Sequence, residues 1–206
     1  VPVKGASVPN PHEKWSDIDP NLPDLKIRVY GPPPTSGTRD LMGQLLLDQG
    51  CATFSDIASL EATDPDSFRL LCRTLREDGA YIEAGENDVL IVRKLEANKD
   101  AFGVFGFSFL DQNADKVQGS LIGGVAPEFE TIADGSYPVS RPLYFYVKGA
   151  HVGKVPGIKE YVAAFTAEKT FGPGGILSDK GLIPMPDAER KKFQKDAEMM
   201  ANNISM

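Results

Sequence analysis

The stretch "PPPTSGTRD", residues 32–40, gathers three hydroxyls, a glycine and an arginine just before an apolar-periodic run. With Ser36 or Gly37 as N-cap, the amides of Gly37, Thr38 and Arg39 fall among the donors that a helical first turn leaves without intrahelical partners. The hydroxyls of Thr35, Ser36 and Thr38 surround those amides, and Gly37 lets the backbone approach a ligand closely. Such a set can hold an anion, helped by the partial positive charge of a helix start. Arg39 sharpens the question, because a cation in a first turn opposes the dipole by about 0.3–1 kcal/mol unless negative charge answers it. Two readings stay open on these residues: a bound anion supplies that charge, or Asp40 or another surface acid pairs with Arg39 while the Ser/Thr cluster merely caps the helix.

Other chemistries have less support. No GxxxxGK[ST] phosphate loop and no GxSxG nucleophile elbow occur, which favours binding over phosphoryl transfer. A phosphoester hydrolase would need Ser36 or Thr38 as nucleophile with His151 as base, yet His12 and His151 are the only histidines and neither sits in a recognisable motif. "GENDV", residues 85–89, reads as a charged helix cap, and the aromatic alternation of "AFGVFGFSF" reads as core. Cys51 and Cys72 are the only cysteines. They are compatible with one disulfide or with two separate buried thiols, and no histidine stands near either to suggest a metal site. Neither a metal nor another cofactor is expected.

The elements that must position the loop follow from periodicity. Residues 1–25 are rich in proline and polar residues and read as an extended segment anchored by Trp15. "LKIRVYG" reads as a strand ended by Gly31 and Pro32 to Pro34, and "RDLMGQLLLDQG" as a helix with Leu41, Leu45 and Leu46 inward, stopped by Gly50. "SFRLLCRTLREDG" is a second helix stopped by Gly79, "AYIEAG" a short strand, and "NDVLIVRKLEANKD" a helix capped by Asn87 or Asp88. "AFGVFGFSFL" alternates as a strand, with Gly103 and Gly106 marking close packing or a bend. Residues 119–149 read as strand-rich, with "PLYFYV" the strongest strand, and "IKEYVAAFTAEKT" and "PDAERKKFQKDAEMM" as closing helices. Strands alternating with helices imply an α/β architecture.

The 206 residues carry a formal net charge of −7, and the one dense basic run, "ERKKFQK", is interleaved with acids and reads as a solvated helix face. This balance argues against nucleic acid or an anionic membrane as partner. No apolar stretch approaches the roughly 18 residues needed to span a bilayer, and residues 1–15 lack a secretory signal pattern. Composition leaves the compartment open.

Together "WSDIDPNLPDLKIRVYGPPPTSGTRD", "DGAYIEAGENDVLIVRKL", "AFGVFGFSFL" and "ETIADGSYPVSRPLYFYVK" resemble the phosphate-binding proteins of bacterial ABC transporters, in consistent order over essentially the whole chain. The resemblance implies a periplasmic-binding-protein-like α/β architecture of two hinged lobes that close on inorganic phosphate and deliver it to a membrane permease. It places the anion loop on Ser36, Gly37, Thr38 and Arg39, with Thr35 as a candidate. Some relatives carry a further arginine earlier in this loop, where this chain has Pro32 to Pro34, so Arg39 would bear the charge-assisted bonds of this lobe alone. The oxidising periplasm implied by the family favours a Cys51–Cys72 disulfide. Another tetrahedral oxyanion is the alternative ligand.

The same resemblance divides the chain into residues 1–24, the end of a first-lobe segment and crossover, 25–136, a complete second lobe, and 137–206, a hinge return strand with C-terminal first-lobe helices. On that division the first lobe is only partly present, since its opening strand, helix and second anion loop have no counterpart here. The expected consequences are a fragment or shortened relative and weak binding by half a site. Association with a companion N-terminal fragment or a second copy would then follow from the incomplete first lobe.

Overall fold

In a computed structural model of the chain, residues 2, 3 and 6–202 are described. They divide into two units, one running to Gln118 and one beginning at Gly119.

The first unit opens with a two-stranded antiparallel ladder, β1 (Pro2–Val3) with β2 (Ala6–Ser7), followed by an extended segment. Trp15 anchors that segment as expected: its amide donates to Leu25 O at 3.0 Å and its ring meets Phe102 edge to face at 5.1 Å. The centre of the unit is β3 (Val29–Gly31). From it the chain runs through α1 (Gly37–Met42), a wider helical turn over Gly43–Leu47, and α2 (Asp48–Ala52). Gly50 therefore does not stop the helix, which continues past it and places Cys51 inside α2. A helix absent from the sequence reading, α3 (Ser55–Thr63), precedes α4 (Pro65–Arg73). Asp64 caps α4, taking the Ser67 hydroxyl at 2.7 Å and its amide at 3.1 Å, and these bonds hold the carboxyl below its ordinary range. The helix ends at Arg73, six residues before Gly79, because Thr74 turns to extended backbone.

The Cys51–Cys72 disulfide joins α2 to α4 with Cα atoms 5.8 Å apart. Ile57, Phe68 and Cys72 form the buried cluster around it. Beside it Arg73 grips the nearly buried Asp48 through Nε at 2.9 and 3.1 Å, which raises the guanidinium's pKa.

Beyond α4 come β4 (Tyr81–Glu83), α5 (Asp88–Ala97) and β5 (Phe102–Gly103). Asn87 caps α5 through the Val89 amide at 3.0 Å, one of the two caps expected. The three strands are parallel in the order β4-β3-β5, with Val29 paired to both Tyr81 and Phe102. Tyr30, Ala84 and Ile91 form the core where α5 crosses the sheet. Gly103 is the close approach the sequence suggested: a Cβ there would lie 2.6 Å from Leu95 Cδ1 and 3.1 Å from Ile91 Cγ2. The rest of "AFGVFGFSFL" is not strand. Pairing with β3 ends once the Val104 amide reaches Tyr30 O at 2.8 Å, and α6 (Phe107–Gln112) begins directly after Gly106.

The second unit corrects the sequence reading more strongly. Residues 119–149 contain no strand among the described residues; they hold an isolated bridge between Ile122 and Val125, the short α7 (Phe129–Ala133) and the start of a helical turn at Gly149. "PLYFYV" forms no ladder, and Leu143 and Tyr146 stand 78% and 76% exposed. High β-propensity describes a side chain's fit to a pleated surface, and this unit offers the segment no neighbouring strand. The expected helix over 158–170 is two, α8 (Ile158–Phe165) and α9 (Glu168–Phe171), broken at the buried Thr166, whose hydroxyl bonds back to Val162 O at 2.9 Å. The closing helix α10 (Asp187–Glu198) packs on α8. Within the "ERKKFQK" run, Lys191 and Lys192 are solvated, but the Arg190 side chain is only 7% exposed. It binds Glu168 at 2.9 and 3.1 Å, Met185 O at 2.8 Å and Asp187 at 3.1 Å. No described helix is long and apolar enough to cross a membrane.

Candidate functional site

A parallel sheet delivers the loops after its strands to one edge. Here those are residues 32–36 after β3, 84–87 after β4 and 104–106 after β5. Two side-chain bonds tie them together. The Thr35 hydroxyl donates to the Glu86 carboxylate, joining the first loop to the second. Gly106 N–H donates to Asp88 Oδ2 at 3.2 Å, joining the third loop to the start of α5. Burial pushes the Asp88 carboxyl above its ordinary range, and the Gly106 amide partly offsets that push. The carboxyl edge of an open α/β sheet, where neighbouring loops diverge from a central strand, is where such folds hold ligands.

Ser36 is the N-cap of α1, in extended conformation, with its Oγ accepting the Thr38 amide at 3.2 Å. That capping bond is the hydroxyl's one engagement among the described residues. The Arg39 amide donates to Ser36 O at 3.0 Å, so the first turn answers part of its own donor set. Gly37 is exposed at the turn, while Thr38 and Arg39 are half-buried.

Arg39 does not extend along the axis of α1. Its Nη1 donates to Pro32 O at 3.2 Å, and its Cζ lies 4.7 Å from the centre of the Tyr81 ring. The nearest carboxylate is Glu83, at 4.0 Å, not Asp40. Tyr81 donates its hydroxyl to the same Pro32 carbonyl at 2.8 Å, and burial raises its phenol pKa against the opposing pull of Arg39. The structure therefore brings Thr35, Ser36, Gly37, Thr38 and Arg39 onto one edge. It adds four residues that the sequence reading missed: Pro32 as shared acceptor, Tyr81, Glu83 and Glu86. The signal for the last three lay in "GAYIEAGENDV", since a strand parallel to β3 must bring the ends of both strands to the same edge.

His151 belongs to the second unit, in a short helical turn over Gly149–His151, and its amide donates to Lys148 O. Among the described residues no cluster of three or more His, Cys, Asp or Glu could hold a metal ion.

The PBP superfamily domain matches residues 9–169. Phosphate-binding protein PstS of Staphylococcus haemolyticus is 29% identical over 187 residues, covering 88% of this chain and 49% of that protein. Protein SphX of Synechococcus elongatus is 22% identical over 178 residues, covering 84% of this chain and 44% of that protein. A crystal structure described as "a possible phosphate binding protein from Planctomyces limnophilus" shares the fold, with a TM-score of 0.59 at 24% identity over 93% of this chain and 60% of that one. The chain spans about half the length of the curated relatives it matches.

Proposed function

The chain belongs to the PBP superfamily, and on that premise we propose that it binds inorganic phosphate reversibly, without chemistry, for delivery to an ABC-type import permease. The observation that carries this reading is the loop Thr35 to Arg39 at the carboxyl edge of a parallel sheet, in a chain whose relatives are named phosphate-binding proteins. Ser36, Gly37, Thr38 and Arg39 supply the ligand's hydrogen bonds, with Thr35 at the margin. Residues 25–136 form the lobe that carries this loop, and residues 1–24 and 137–206 belong to the crossover and the opposing lobe. The cleft between the lobes completes the site, and the protein works outside the cytoplasmic membrane.

The test is calorimetric titration of phosphate at fixed ionic strength into the wild-type chain and Arg39→Ala. A charge-assisted bond is worth roughly 1.5–3 kcal/mol, so the substitution weakens affinity roughly tenfold to a hundredfold. Equal affinities in the two proteins would remove Arg39 from the site, and an absence of saturable heat in wild type would reject the reading for this chain.

A further inference from the structure

The guanidinium of Arg39 is held without being saturated. Its side chain is only 16% exposed, yet among the described residues its one well-formed hydrogen bond goes to Pro32 O, at 3.2 Å, beside the polar contact it makes with the Tyr81 side chain. Glu83 stands at 4.0 Å, close enough to offset charge and too far to accept a hydrogen bond. A shielded cation whose donors are not all engaged is costly unless something compensates, and the face of Tyr81, 4.7 Å from Arg39 Cζ, does so.

Tyr81 is itself fixed on two sides. Its hydroxyl is tied to Pro32 O at 2.8 Å, and Pro32 is fully buried. Its ring lies against Gly31 so closely that a Cβ at that position would sit 2.8 Å from the ring carbon Cζ. Parallel pairing of Val29 with Tyr81 and of Gly31 with Glu83 sets the register that puts ring and carboxylate beside Arg39.

We propose that Tyr81 is a positioning residue that holds the Arg39 fork in place, and that Glu83 is a provisional counter-ion which an arriving oxyanion displaces. The displacement rests on the phosphate reading above; the positioning does not. Tyr81 acts through Arg39 and does not touch the ligand. Glu83 is about half exposed, so it returns to water when the anion takes over the donors not yet engaged. The ligand thereby gains a guanidinium whose orientation is already fixed, and loses a little affinity to the carboxylate it must replace.

The experiment combines NMR of the Arg39 side chain with phosphate calorimetry on the chain as it stands, in wild type, Tyr81→Phe, Tyr81→Leu and Glu83→Gln. Without phosphate, the ring current shifts the Arg39 δ-CH2 and Nε–H resonances upfield in wild type and in Tyr81→Phe, and Tyr81→Leu abolishes the shift. With phosphate, Tyr81→Leu weakens binding about tenfold through loss of the cation–π contact and of orientation. Tyr81→Phe retains the ring and restores affinity to within about threefold, as expected for loss of one neutral hydrogen bond. Glu83→Gln tightens binding by about twofold to fivefold, the scale of an exposed ion pair.

An Arg39 resonance unmoved in Tyr81→Leu overturns the positioning role, and so does a Phe variant that behaves like Leu. Weaker or unchanged binding in Glu83→Gln overturns the exchange. Absence of phosphate binding in wild type overturns both the exchange and the reading of the loop, while the ligand-free resonances still decide what Tyr81 does.

Discussion

Arg39 occupies the first turn of α1, where the dipole disfavours a cation, and the structure resolves the conflict locally. The side chain folds back to a carbonyl, a ring face and a distant carboxylate, so its charge lies beside the ends of β3 and β4. This arrangement depends on Gly31. Its backbone is ordinary extended strand, and glycine is needed there for space, because Tyr81 fills the volume a side chain would take. Gly31→Ala is expected to displace the Tyr81 ring and cost about 1–3 kcal/mol by overpacking. Chemical denaturation measures that loss, and Tyr81→Leu in the Gly31→Ala background should recover part of it by vacating the contested volume. A fully stable Gly31→Ala protein with an unshifted Arg39 resonance would show that the ring yields freely. From sequence, the donor types at 35–39 were legible because hydroxyls, glycine and arginine cluster within five residues. Arg39's true partners were not, because Tyr81 lies 42 positions along the chain and only the strand register brings the two together.

At the scale of elements, local signals served well where they were also sufficient. Asn87 capped α5 and "AYIEAG" held β4, since a side-chain cap and a short apolar run act within a few residues. Gly50 and Gly79 misled because a glycine permits a helix end without requiring one. The helix over 43–52 persists through Gly50, with α2 bridged to α4 by the Cys51–Cys72 disulfide, and α4 stops early at Thr74. The disulfide also sets an expectation for stability. It separates residues 21 apart in sequence, and by loop-closure entropy its removal costs roughly 3 kcal/mol. Urea unfolding of Cys51→Ala/Cys72→Ala against oxidised wild type measures this. A loss under about 1 kcal/mol would mean that the Ile57–Phe68 cluster and the Asp48–Arg73 pair already hold α2 to α4 without the bond. Arg190 is the opposite lesson. Charge runs are usually solvated, and Glu189, Lys191, Lys192 and Lys195 of "ERKKFQK" fit that rule, but Glu168, Asp187 and the Met185 carbonyl make Arg190 a buried tie between α9 and α10.

For the molecule as a whole, each unit raises its own question, and in the second the question is residues 142–147. Among the described residues the backbone from Leu143 to Val147 pairs with no strand. Phe145 turns inward to meet Phe165 of α8 edge to face at 4.5 Å, and a cleft of about 300 Å³ opens beside it, lined by Phe145, Val147, His151, Tyr161 and Val162. Tyr144 and Tyr146 alternate outward at 66% and 76% exposure. The segment keeps the composition of a strand, aromatic and uncharged from Pro142 to Val147, without forming one, and all five of its residues from Leu143 to Val147 are exposed. If this segment pairs with another copy, antiparallel self-pairing centred on Phe145 sets Tyr144 of one chain against Tyr146 of the next and Leu143 against Val147. The net charge of −7 opposes that contact at long range, so the association should strengthen as salt screens the repulsion. Sedimentation velocity is expected to show a weight-average mass that rises with protein concentration and with salt, and Tyr146→Lys, which puts a cation on the exposed face, should return the protein to monomer. A concentration-independent monomer in wild type at high salt would mean that Pro142 and the inward packing of Phe145 already protect the edge.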